Sequence, residues 1–167
     1  MYVEKQDSPE LLRIYSRIGT AVPLHCTAAV KVLLAFMPED EQDRAPPELD
    51  LKRLTPNSVG NLQELKTELY RVCKNGYAYE VEEHELHIRC VAAPIRDHTG
   101  SVQSSLSMTA PTLRMPMTRL RHPVPLIQTE GLKISAELGY QPAVSPLPWT
   151  ALNRNGKAEA RRGKMAV

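Results

Sequence analysis

The chain predicts an α+β domain. Two stretches repeat apolar residues at helical spacing, and two later stretches alternate apolar and polar residues around a loop of turn residues. Strands and helices in mixed order, with one clear antiparallel hairpin, argue against a doubly wound sheet. No Gly-rich phosphate loop follows any strand, so nucleotide binding has no support.

The elements follow in order. Leu11 to Ile18 reads as a strand ending at Gly19. After Pro23, His25 to Phe36 carries apolar residues at Ala29, Val32, Leu33 and Phe36, with Thr27 near its start and Pro38 past its end. This helix is apolar nearly all round and is expected to be buried. Glu39 to Pro47 reads as a loop, and Leu54 to Ser58 as a turn. Asn61 with Glu64 forms a capping box, Leu62, Leu65, Leu69 and Val72 form an apolar stripe, and Asn75-Gly76 stops the helix. Tyr77 to Val81 and Leu86 to Ile95 read as strands. Arg96 to Gly100 is a hairpin-length loop, and Ser101 to Thr109 returns with Val102, Ser104, Leu106 and Met108 on one face. Leu126 to Leu138 is a last helix, with Pro123 and Pro125 limiting its start and Gly131 weakening its middle by about 1 kcal/mol.

Composition bounds the function. The 167 residues are 42% hydrophobic and 24% charged, enough for one domain with a core. A net charge of +2 is too balanced for a nucleic-acid-binding surface over the whole domain, and the basic run Arg161, Arg162 and Lys164 lies at the extreme C-terminus. The three cysteines, Cys26, Cys73 and Cys90, are an odd number without metal-ligand spacing, which points to a reducing cytoplasm and to no metal or cofactor. No apolar run or signal peptide suggests a membrane. Residues 141–167, Pro-rich and then basic, are expected to be a disordered tail behind a domain spanning 1–140.

Three blocks carry a family resemblance. Arg17-Ile18-Gly19 with Pro23 to Ala35, Gly76-Tyr77-Ala78 through Ile88 to Asp97, and Leu106 to Pro111 resemble, in order and spacing, three signatures of the effector domain of IclR-type transcriptional regulators. Tyr2 to Ile18 together with Pro111 to Arg114 resembles the members that regulate sugar-acid catabolism. The family pattern has glycine where this chain carries Val30, His87 and Ala110. The resemblance implies a GAF/profilin-like twisted antiparallel sheet with flanking helices that binds a small organic acid, a sugar-derived keto acid. It implies a homo-oligomer, dimer or tetramer, that meets operator DNA only through a winged helix-turn-helix domain preceding this one and absent from the chain. It implies no enzyme.

By the same resemblance the effector pocket falls on Leu11, Ile14, Ala28, Ala29, Glu80, Ile88, Cys90, Ser107 and Thr109. The chemistry is consistent. Ala28 and Ala29 stand at a helix N-terminus, whose free N–H groups favour a carboxylate. Ser107 and Thr109 share a strand face and offer two hydroxyls, while Leu11, Ile14 and Ile88 supply apolar walls. Plainer roles stay open for each: helix packing for the alanines, solvated strand positions for the hydroxyls, a small buried hydrophobe for Cys90 and a surface charge for Glu80. A ligand-free interaction module, or a non-functional truncated product, that pairs with full-length regulators is the alternative. His25 and Cys26 point about 100° apart on a helix start, a poor catalytic pair. His84 and His87 face opposite sides of a strand, a poor zinc set with Cys90.

Overall fold

The computed structural model describes residues 1–10, 14, 18–20, 23–38 and 51–142. Most of the expected strand over Leu11 to Ile18, the loop at Glu39 to Pro47 and almost all of the expected tail lie outside the described residues; of that strand Ile14 is described in no regular element and Ile18 in a turn. Among those described, the elements run α1 (Ala28–Ala35), α2 (Leu62–Asn75), β1 (Ala78–Val81), β2 (Ile88–Arg96), β3 (Val102–Pro111), a 3-10 turn (Met117–Arg119) and α3 (Val124–Glu137). The three strands form an antiparallel sheet in the order β1-β2-β3. The α+β class is as expected.

Strand alternation sends successive side chains to opposite faces of the sheet. On one face Ala78, Cys90 and Ala92 pack with Ala28 and Val32 of α1 and Val72 of α2. On the other, Val91 and Ala93 pack with Val124 and Ile127 of α3, joined by Tyr77, Tyr79, Leu106 and Met108. The chain thus places helices on both faces of its sheet, and β2 is buried between them.

Local chemistry explains the element ends. Asn61 Oδ1 accepts the Glu64 N–H at 2.9 Å, and Glu64 Oε2 reaches back to the Gly60 N–H at 2.9 Å, one residue beyond the expected capping-box donor. Gly76 ends α2 in the left-handed region at φ 71°, which suits a residue without Cβ. The stripe on α2 is narrower than expected, because Leu62 in the first turn is 48% exposed. The first helix begins at Ala28 rather than His25: Thr27 is still extended, and its hydroxyl turns back to the Pro23 carbonyl. The last helix starts earlier than expected, at Val124. Pro125 fits in its first turn, where a missing N–H costs no helical bond.

Two departures have clear physical causes. Val102 leaves the face of Leu106 and Met108 and joins the α1 side, because a register shift between Ile95 and Arg96 pairs Arg96 with Val102 while Ile95 pairs with Ser104. Gly131, expected to weaken α3, lets the helix approach β2. A Cβ there would stand 3.0 Å from the Pro94 carbonyl oxygen. One turn on, the buried Ser135 hydroxyl donates to the Gly131 carbonyl at 2.6 Å and accepts the Arg96 N–H at 2.9 Å, pinning helix to strand beside the bulge.

Candidate functional site

The sheet face under α1 carries more than apolar packing. Register aligns Glu80 of β1, Cys90 of β2 and Thr109 of β3 in one row. The Thr109 hydroxyl donates to Cys90 Sγ at 3.2 Å, and Ser107, one row away, also bonds the thiol. Ala28, fully buried at the start of α1, packs on Cys90 and Ala92. Ile88 lies in the neighbouring row opposite Pro111, half-buried. Six of the nine expected site residues, Ala28, Glu80, Ile88, Cys90, Ser107 and Thr109, therefore share this face, and Ala29 follows on the helix. Ile14 is half-buried and outside any helix or strand, and Leu11 lies outside the described residues.

Thr27 does not cap α1, and the first helical bond runs from the Lys31 N–H to the Thr27 carbonyl. The N–H groups of Ala28, Ala29 and Val30 thus precede the hydrogen-bonded turns. The Ser105 hydroxyl holds the helix to the sheet by donating to the Ala29 carbonyl at 3.1 Å.

The sequence reading missed the charge behind this row. Lys31 is 1% exposed. Its ammonium donates to Glu83 Oε1 at 2.6 Å and to the Tyr79 carbonyl at 3.1 Å, and lies 3.8 Å from Glu68. Glu83 Oε2 is buried with no hydrogen-bond partner among the described residues. Glu80, 4% exposed, accepts the His84 N–H at 3.2 Å. A signal for Lys31 was available: a cation in a helix apolar on every other side must be buried, and a buried cation needs a partner.

These groups shift one another. Burial pushes the Glu80 carboxyl up to about 7; Glu83 adds to the rise, while the His84 N–H and Lys31 oppose it. Burial also raises Glu83, against the pull of Lys31. Burial pushes the Cys90 thiol up to about 12, although bonds from Thr109 and Ser107 favour the thiolate. Cys26 rises to about 11 by burial and by the charges of Glu80 and Glu83. Tyr2, half-buried, is raised by burial and then by Cys90 and Glu80, so the N-terminal segment reaches the same row.

Neither cysteine is therefore a thiolate nucleophile near neutral pH. His25 Nε2 meets the Lys52 carbonyl at 3.0 Å, whereas Cys26 Sγ lies 3.8 Å from His84 Nδ1, so the adjacent pair diverges. His84 and His87 are both exposed in the loop between β1 and β2, and no cluster of three metal-ligating side chains occurs among the described residues. An open groove of about 480 Å³ runs along the start of α2, lined by Arg53, Ser58, Glu64, Glu68 and Arg71 among others; it contains none of the expected site residues. No helix among the described residues is long and apolar enough to cross a membrane.

Known proteins resemble this arrangement throughout. The family described as "Bacterial transcriptional regulator IclR C-terminal" matches residues 1–136. The HTH-type transcriptional regulator KdgR of Escherichia coli (strain K12) is 40% identical over 140 residues, covering 84% of this chain and 53% of KdgR, so the chain spans about half the length of that relative. The crystal structure of Thermotoga maritima IclR superposes with a TM-score of 0.73 at 34% identity, over 79% of this chain and 53% of that one. An Acinetobacter PobR inducer-binding domain, a double mutant in complex with 3-hydroxybenzoic acid, superposes with a TM-score of 0.63 at 28% identity, over 71% of this chain and 69% of that one. The relatives are transcriptional regulators by name, not enzymes. With its profile match, a 40% identical relative and a shared sheet-and-helix arrangement, this chain belongs to the IclR family of bacterial transcriptional regulators, as their C-terminal domain.

Proposed function

We propose that this domain senses a small organic acid, a sugar-derived keto acid, held between the start of α1 and the row Glu80, Cys90 and Thr109. The observation that carries this reading is an uncapped helix start laid over a row of polar side chains on an otherwise packed sheet. The N–H groups of Ala28 and Ala29 would take the carboxylate. The Ser107 and Thr109 hydroxyls would take the remaining oxygens, with Ile14, Ile88 and, from the sequence, Leu11 as walls. The inducer domain complexed with 3-hydroxybenzoic acid supports an organic acid as the ligand class. In a homo-oligomeric regulator, acid binding would bias subunit geometry and so operator affinity. The DNA contact would come from a domain outside this chain.

A thermal-shift screen with pyruvate, glyoxylate and ketodeoxygluconate tests the reading. One acid is expected to raise the melting temperature in a concentration-dependent way. The shift is expected to shrink when Ser107→Ala is combined with Thr109→Val. A flat response to all three acids, or binding indifferent to both substitutions, contradicts it.

A further inference from the structure

The proposed binding row contains a carboxyl group that has no cation of its own among the described residues. Lys31 is the ammonium in this cluster, and it is committed to Glu83 and the Tyr79 carbonyl, with Glu68 next nearest. Among the described residues Glu80 receives only backbone N–H from the turn that follows β1. Around it stand Cys26 before α1, Lys31 on α1, Glu83 and His84 in the loop, Cys90 on β2 and Tyr2 from the N-terminal segment. Lys31 is the one cationic group among them that acts on Glu80, and its charge is already matched by Glu83. An anionic ligand entering beside an ionised Glu80 would place two like charges in a dry site, which disfavours the doubly charged state.

We propose that Glu80 is the specificity-determining residue of this site, and that it takes the acid while protonated, donating one hydrogen bond to a keto or carboxylate oxygen. This rests on the acid-sensing reading above and adds to it a thermodynamic partner, one proton per bound acid. Burial already holds the group close to its midpoint at neutral pH, so a modest change in pH or a bound anion moves the proton fully on. The neutral carboxyl supplies a donor in addition to the Ser107 and Thr109 hydroxyls, and the Thr109 proton would have to turn from Cys90 Sγ to reach the ligand. Selection then favours ligands that present an acceptor oxygen to Glu80 over ligands that present only donors there, such as an ammonium.

The test is calorimetric titration of the chain with ketodeoxygluconate and with pyruvate, in two buffers of different ionisation enthalpy, from about pH 6 to about pH 9. Both acids stay ionised over that range, so any proton taken up comes to the protein. The proposal expects uptake approaching one proton per acid at the alkaline end, and affinity falling about tenfold per pH unit above neutrality. Glu80→Gln keeps a donor without a titratable proton. It is expected to remove the pH dependence and to bind about a hundredfold more tightly than the parent chain at about pH 9. Proton uptake by the unaltered chain reads the proposal even where the variant fails to fold. Acid binding without proton uptake, or affinity that holds or rises through neutral pH, overturns this proposal and leaves acid sensing intact. Absence of binding for both acids at every pH removes the sensing reading and this proposal together.

Discussion

The two faces of the sheet are built from the same three strands and differ in kind. Under α3 the contacts are Val91, Ala93, Leu106, Met108, Val124 and Ile127, with Tyr77 and Tyr79 edge to face at 5.1 Å. Under α1 and α2 the same strands bury Glu80 and Cys90, and the adjoining helix and loop bury Lys31, Cys26 and Glu83. The first face is stabilised by area removed from water. The second holds charges whose desolvation must be offset by one another, an arrangement often neutral or costly for stability. A domain that needed only to fold would gain from two faces of the first kind, and that difference points to function on the second.

Substitutions on each face sharpen the comparison. Lys31→Met is expected to have the largest effect, a loss of about 3–5 kcal/mol in urea unfolding at neutral pH, because it strands the Glu83 carboxylate in the interior. The loss should shrink as pH falls and Glu83 takes up a proton. Val91→Ala on the other face should cost about 2–3 kcal/mol with no such pH dependence. Equal pH profiles for the two variants would break the distinction between the faces.

Glu80→Gln should act in the opposite direction. The carboxyl is raised from 4.5 to about 7 on folding, so between those values the folded state holds a proton that the unfolded chain has released. Stability from this group therefore falls as pH rises through that window and stays low above it. The variant should be more stable than the parent by about 3 kcal/mol near pH 8, and by nothing near pH 4. Denaturant midpoints across pH measure this.

Two smaller effects complete the series. Ser135→Ala, on the buried side of α3, removes the acceptor of the Arg96 N–H and should cost about 2 kcal/mol in the same unfolding assay, alike at every pH. His87→Gly, in the loop that carries Glu83 and His84, relieves a non-glycine residue at φ 67° and should raise stability by about 1 kcal/mol.

Much of this was legible in the sequence, for reasons specific to each segment. Asn61, Glu64 and Gly76 bound α2 because capping and left-handed termination are local chemistry. The hairpin between β2 and β3 was readable because Asp97 to Gly100 is turn chemistry between alternating runs. The face assignment of Val102 was not, because a bulge is set by pairing across strands and leaves no local mark. Nor was the early start of α3, since Pro125 permits a first turn as readily as it forbids a longer one. For the site, the family pattern brought Ala28, Glu80, Cys90, Ser107 and Thr109 to one face. The Lys31–Glu83 pair joins residues 52 apart in sequence, and no local pattern links them. The family glycine at position 87 had a structural meaning as well, since His87 keeps the positive φ.

Chemical-shift mapping tests the difference between the faces most directly. On titration of the isotope-labelled chain with ketodeoxygluconate, the account predicts saturable shifts at the amides of Ala28, Ala29, Glu80 and Thr109. Those of Val91, Ala93 and Ile127 are predicted to stay nearly still. Shifts centred on α3 and its sheet face, or along the groove by Arg53 and Arg71, would contradict it.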